Sequence, residues 1–354
     1  MHPCAEPGFD AERRSQRIAL AAALALVAIW GANFSVQKLI FPVLGPDGFL
    51  FGRYLIMPLL AACWMVQRYG ADWPPVELAD RWRLLRLAVA GHVLHVGLVT
   101  WGIHLSTAFS SAVMLACGPL FTLLLLRLTG TDRLTGAQVA GVVVALAGVV
   151  VFLSEKLAGA GWRTGWGDLV LLVAASFFSY YTVSARDLIQ RIGGMPVMAY
   201  TTLIASPLLV GLSWTGGARV DWAALGWAGW LALFWSVVIS SFLGWLLWGW
   251  VNAVRGVART APLLYLMPVV AGVIAWWVLG ERFTVVNAGG AALTLAGVAL
   301  AQARFARSGG AGAAGRFPSR RLRPRRWRLA PMFTFLGANG PLVPARAQAP
   351  DNDD

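Results

Sequence analysis

Charge is scarce in this sequence. Only 13% of the 354 residues are Asp, Glu, Lys or Arg, about half the share of an ordinary soluble domain. Cysteine is scarcer still. Cys63 and Cys117 sit inside apolar runs and Cys4 near the start, so a disulfide framework is excluded, and no metal-ligand spacing occurs. The chain has no Gly-x-x-x-x-Gly-Lys-Ser/Thr loop, which excludes ATP hydrolysis by the chain itself. Carboxylates are missing from the middle of every apolar run, since Asp47, Asp168 and Asp187 sit at run ends. What remains is 58% hydrophobic, with mean hydropathy +0.65. That composition excludes a two-domain soluble protein of this length. The net charge of +13 would suit a nucleic-acid binder, but its place in loops and one tail argues against that partner.

A membrane helix needs about 20 apolar residues. Runs of that size fall near 18–38, 49–67, 84–104, 109–128, 136–153, 168–185, 195–214, 226–250, 261–279 and 284–302. They are too long and too evenly apolar for barrel strands. The expectation is an all-α membrane protein of ten transmembrane helices. The first run could be read as a cleaved leader, since Arg13, Arg14 and Arg17 precede it. Trp30, Asn33, Phe34 and Gln37 stand where a small-residue cleavage site belongs, which favours a span.

Basic residues orient the chain. With the N-terminus inside, the inner segments carry thirteen arginines, among them Arg68, Arg81, Arg83, Arg86 and Arg191. The outer segments hold only Lys38, Lys156, Arg163, Arg219 and Arg282. Both termini are therefore expected in the cytoplasm, with the protein in the cell inner membrane.

An internal repeat divides the chain. At a constant offset of 149, Pro119 meets Pro268, Asp132 meets Glu281, Thr135 meets Thr284 and Gly141 meets Gly290. Leu146-Ala147-Gly148-Val149 likewise meets Leu295-Ala296-Gly297-Val298. Five helices per repeat is an odd number, so the halves are inverted in the membrane, as in many secondary transporters. The expected layout is a cytoplasmic N-terminus over 1–17, a first five-helix repeat over 18–153, an outer linker over 154–167 and a second repeat over 168–302. A basic, disordered tail follows over 303–354. It reads as an unselected extension, against a functional reading as an arginine patch on anionic lipid.

The repeated residues all have scaffold roles. Pro119 and Pro268 should kink their spans. Thr135 with Gln138 fits a capping box. Asp132 and Glu281 are expected to face the positive dipole ends of the helices that follow them. Gly141, Ala145 and Gly148, with Gly290 and Gly297, form small-residue stripes for close helix packing.

Trp30-Gly31-Ala32-Asn33-Phe34, Arg53-Tyr54 and Leu279-Gly280-Glu281-Arg282 resemble motifs of the EamA-type transporters of the drug/metabolite transporter superfamily. The resemblance covers about 18–302. It implies a ten-helix fold with cytoplasmic ends that carries or exports small metabolites. Thr131-Asp132 departs from the family's usual Gly-Glu, and the tail beyond Arg307 has no counterpart.

Polar residues inside spans mark the candidate site, because such groups are costly in lipid unless they face a cavity or a partner. Asn33, Gln37, Arg53, His95 and Tyr180 are the expected substrate-binding residues, near mid-membrane between the repeats. His92 and His95, which share a helical face, are candidates for proton coupling. Each has a plainer reading: Arg53 as a snorkelling side chain, Asn33 and Gln37 as interhelical glue, and the histidines as satisfied structural groups. The expected partners are a small-molecule substrate and membrane lipids, with homodimerisation left open, and no cofactor is expected. The favoured function is a secondary transporter, with export preferred, of amino acids or related solutes. The alternatives are a membrane-embedded enzyme, for which no acidic or histidine cluster is found at a membrane face, and a channel-like or lipid-flipping scaffold.

Overall fold

A computed structural model of the chain describes residues 7–128, 135–158, 162–255 and 260–302. The chain divides into two units, Met1–Gly312 and Ala313–Asp354, and every described residue lies in the first. Asp132 and the tail from 303 lie outside the described residues, and so do the expectations attached to them.

Helix is the regular secondary structure of the described residues, with no strand among them. Helical hydrogen bonding runs from Pro7 to Tyr69 but is broken at Gly45, with φ 64° and ψ 173°. A left-handed φ suits a residue without a Cβ, and Pro46 then opens the next helix with its φ already set. The break reverses the chain. Trp30 Nε1 donates to Ser240 O at 2.9 Å, whereas Gly52 lies against Leu233 and Trp222. From Trp30 to Gly52 a straight helix would span about 33 Å, yet Ser240 and Leu233 are two turns apart, roughly 10 Å. The first element is therefore a hairpin of α1 (7–44) and α2 (46–69).

The remaining helices are α3 (Leu78–Leu105), α4 (Ala108–Leu115), α5 (Gly118–Leu128), α6 (Gly136–Ala158), α7 (Trp162–Ile192), α8 (Gly194–Arg219), α9 (226–255), α10 (Met267–Leu279) and α11 (Val285–Gln302). Seven described helices are long and apolar enough to cross a membrane, with Arg14–Tyr69 counted once despite its break. Leu263–Leu279 and Val285–Ala301 are apolar and shorter.

The prolines act at the expected places. A turn at Ala116–Cys117 separates α4 from α5, and Pro119 stands in the first turn of α5, where its missing N–H costs least. A 3-10 segment, Ala261–Leu266, gives way to α10 at Pro268. The capping box is also present: Thr135 N donates to Gln138 Oε1 at 2.8 Å, and Gln138 N to Thr135 Oγ1 at 3.4 Å.

The glycine stripes join the two repeats. A Cβ on Gly141 would lie 2.3 Å from Ala301 N, and one on Gly148 2.3 Å from Thr294 N. Gly297 meets Ala145 and Gly290 meets Phe152 in the same way. Partner numbers fall on one helix as they rise on the other, so α6 and α11 are antiparallel. The 149-residue offset carries the pair Gly141–Ala301 onto Gly290–Phe152, and Gly148–Thr294 onto Gly297–Ala145. Two helices that exchange roles under one offset while running in opposite directions are what an inverted repeat requires.

Glu281 serves a different helix from the one expected. Its Oε1 accepts from Ala108 N at 2.7 Å and its Oε2 from Phe109 N at 3.2 Å, so it closes the N-terminus of α4, in the other repeat. The physical reason foreseen, a carboxylate at a positive helix end, holds. The following helix α11 is capped instead by Thr284, whose Oγ1 accepts from Asn287 N at 3.0 Å.

Candidate functional site

The α1–α2 hairpin sets the depth of the site. Gln37 and Arg53 stand equally far before and after Gly45, and so share a layer about 12 Å below the turn. In this layer several buried polar atoms have no protein partner: Asn33 Oδ1, Ser35 Oγ and Gln37 Oε1 on α1, and Arg53 Nε on α2. Trp235 Nε1 and Ser236 Oγ add two more on α9, less than a turn from Leu233, which touches Gly52. A buried polar atom left unpaired costs about 1–3 kcal/mol. Two more such atoms, Asn252 Oδ1 and Arg255 Nε, lie toward the far end of α9, and the group within about a turn of Gln37 and Arg53 is the one that could take a polar ligand.

The Arg53 side chain turns inward. It is only partly exposed, its Nε is buried, and it lies within electrostatic reach of His92 and His95 on α3. The two histidines differ in their bonds. Thr201 Oγ1 spends its proton on helix carbonyls, at 2.9 Å from Val197 O and 3.1 Å from Met198 O. His92 Nε2, 3.1 Å away, must therefore donate to it. His92 Nδ1 is then an acceptor, and takes the Tyr54 hydroxyl proton at 3.1 Å. His92 thus ties α2, α3 and α8 together with both nitrogens used. His95 has the opposite tautomer: Nδ1 donates to Ala174 O at 2.9 Å, which leaves Nε2 with a lone pair. Its ring stacks on Phe178 with centroids 4.9 Å apart.

Tyr180 stands apart from this group. It lines a cavity of about 560 Å³ between α3, α5 and α7, together with Trp82, Arg86, Val89, Leu94, Phe121 and Ser176. The neighbouring Tyr181 is the tyrosine that meets His92, with ring centroids 6.5 Å apart, and it fills the space over Gly91. One residue step rotates a side chain by about 100° around a helix, so adjacent tyrosines face different compartments. The structure brings Arg53, His92 and His95 together, sets Asn33 and Gln37 in their layer, and separates Tyr180 from them.

Two features are not visible in residue types. Val89–Val96 in α3 and Trp235–Leu243 in α9 are π-helical, with wider turns than the α-helix around them. Ser241 Oγ donates to Ser236 O at 2.7 Å, across the wider turn. The segments overlap at the repeat offset, so each repeat carries one in its third span. Such segments mark functional sites more often than chance. Here one bears both histidines, and the other bears Trp235 and Ser236.

The ends of the layer are closed by polar contacts. At one end Lys38 Nζ donates to the last carbonyls of α3, Ile103 O, His104 O and Ser106 O, at 2.8–3.2 Å, and Ser106 Oγ donates to the buried Asp168. At the other, Arg191 binds Asp80 at 2.7 Å and Asp187 at 3.2 Å, and Arg83 binds Asp187 at 3.1 Å. Among the described residues no His, Cys, Asp and Glu group could hold a metal.

The chain is similar to known proteins in sequence and in fold. Over 211 residues the chain is 32% identical to a probable terminal-alkyne amino-acid exporter of Streptantibioticus cattleyicolor, covering 58% of this chain and 68% of the relative. It is 26% identical over 297 residues to a probable amino-acid metabolite efflux pump of Salmonella typhimurium, covering 78% and 92%. A solved crystal structure shares the fold with a TM-score of 0.55 at 17% identity, covering 82% of this chain and 97% of that one. The EamA-like transporter family matches twice, over residues 17–154 and 165–302, once for each repeat. A multi-pass helical chain with that doubled match belongs to the EamA-like transporter family.

Proposed function

We propose that this transporter exports amino-acid-like carboxylates across a cell inner membrane by alternating access, through ten spans with both termini in the cytoplasm. One observation carries the reading: Arg53 Nε is buried in the bundle without a protein partner, level with the orphan Asn33 Oδ1 and Gln37 Oε1. A guanidinium can hold a carboxylate through two parallel hydrogen bonds. Amide groups from α1 would then read the rest of an amino-acid backbone. The names of the two relatives, one an amino-acid exporter and one an amino-acid metabolite pump, support the same class of solute. Tyr180, on a separate cavity, drops out of the binding set. Of the two histidines, His95 is the better proton carrier, because its Nε2 is not engaged as both nitrogens of His92 are.

Proteoliposome transport of Arg53→Lys tests the site. The lysine keeps the charge and loses the fork, so carboxylate transport should fall about tenfold or more while the protein still reaches the membrane. Wild-type rates would remove the carboxylate assignment. Topology is tested by reporter fusions after Arg191 and after Arg307. Both should read as cytoplasmic, and an external signal at either would overturn the ten-span arrangement.

A further inference from the structure

The cavity between α3, α5 and α7 lies off the polar layer, and its walls suit a different ligand. We propose that it binds one acyl chain of an anionic phospholipid, with the lipid phosphate resting on Arg86 and Arg127. The walls are Val89, Leu94, Phe121 and Leu124. The Ser176 hydroxyl is already spent on Val173 O at 2.7 Å, so Tyr180, Trp82 and Arg86 carry the polar side-chain groups left among the lining residues. Its volume of about 560 Å³ lies within the range of small-molecule sites. In a membrane-spanning chain, the apolar medium at such an opening is lipid.

The headgroup follows from the charge at one end. Arg86 is itself a lining residue, and Arg127 follows Leu124 in the last turn of α5. Helix α3 starts at this end, and α4–α5 return to it after the turn at Ser106–Thr107, so both arginines stand at the same mouth. Trp82 lines that mouth and is 70% exposed, as interfacial tryptophans are. Basic pockets between membrane helices select anionic headgroups by this means. At the offset of 149, Phe121 on the cavity wall corresponds to Val270, whose Cγ1 lies 2.8 Å from a Gly31 Cβ position, so the matched place on α10 is closely packed.

The test is lipid retention measured by native mass spectrometry on the full chain, with phosphatidylglycerol against phosphatidylcholine. One phosphatidylglycerol should be held roughly 25-fold more tightly than phosphatidylcholine, since each of the two arginines contributes about a fivefold preference. Arg86→Ala and Arg127→Ala should each lose about that fivefold factor. Ser176→Trp, or Leu124→Trp at an exposed lining position, should abolish retention by filling the cavity. Glycerol phosphate, which lacks chains, should not compete. Equal retention of the two lipids, or unchanged retention in both tryptophan variants, would overturn the proposal. Competition by glycerol phosphate would overturn the acyl-chain part of it.

Discussion

Helices α3 and α5 of the first repeat and α7 of the second line a cavity. On the related side, Gly31 of α1 lies close against α10, its Cβ position 2.8 Å from Val270 Cγ1 and 3.1 Å from Met267 O. At the offset of 149, Phe121 faces the cavity whereas Val270 lies against Gly31. Between the repeats, α6 and α11 pack with full symmetry, glycine on backbone at four matched points. The contrast separates two tasks. The α6–α11 seam between the repeats keeps its symmetry, and the seams of α7 and α1 against the opposite repeat differ. Inverted-repeat carriers need this inequality, because one half must be packed where the other is open.

The largest effect should come from breaking the symmetric seam. Gly148→Leu pushes a side chain onto the Thr294 backbone, and should cost roughly 3 kcal/mol or more or prevent folding. Gly297→Leu, its mirror, should behave alike in thermal unfolding in detergent. A marked difference between them would show that the seam is not two-fold. Next come the unequal seams. Gly31→Val strikes Val270 and the Met267 carbonyl and should cost about 1–3 kcal/mol. Tyr180→Ala only widens an existing opening and should cost less than about 1 kcal/mol. Similar losses from both would erase the comparison. Glu281→Ala also belongs with the smaller effects. It removes the carboxylate from the start of α4 and should cost about 1 kcal/mol, read as a lowered melting temperature.

Much of the scaffold was legible in the sequence because it rests on short-range rules. Apolar runs, proline positions, the Thr135–Gln138 box and the offset glycines each need only neighbouring residues or a single register. Glu281 was read correctly as a dipole partner and assigned to the wrong helix, because its target lies 173 residues away and no local pattern encodes it. The π-helical segments were invisible, since they change hydrogen-bond register without changing apolar composition. Tyr180 was chosen over Tyr181 for a related reason. The rotation of α7 against α3 decides which tyrosine faces His92, and rotation is set by packing. Arg53, Asn33 and Gln37 stand out in the sequence because they are polar side chains in apolar runs. Trp235 and Ser236 were missed because tryptophan and serine are ordinary in such runs.

The contact of Glu281 with α4 also has a consequence in time. A ribosome adds roughly 5–20 residues per second. The amides of Ala108 and Phe109 are therefore made roughly 10 to 35 seconds before the carboxylate that will cap them. Through that interval the first repeat must wait in the membrane with one helix end unsatisfied. Thr107, whose Oγ1 accepts from Ser110 N at 3.2 Å, is the local substitute available from the start. The second repeat thus completes the first, and a chain stopped before Glu281 would leave α4 held by a threonine alone.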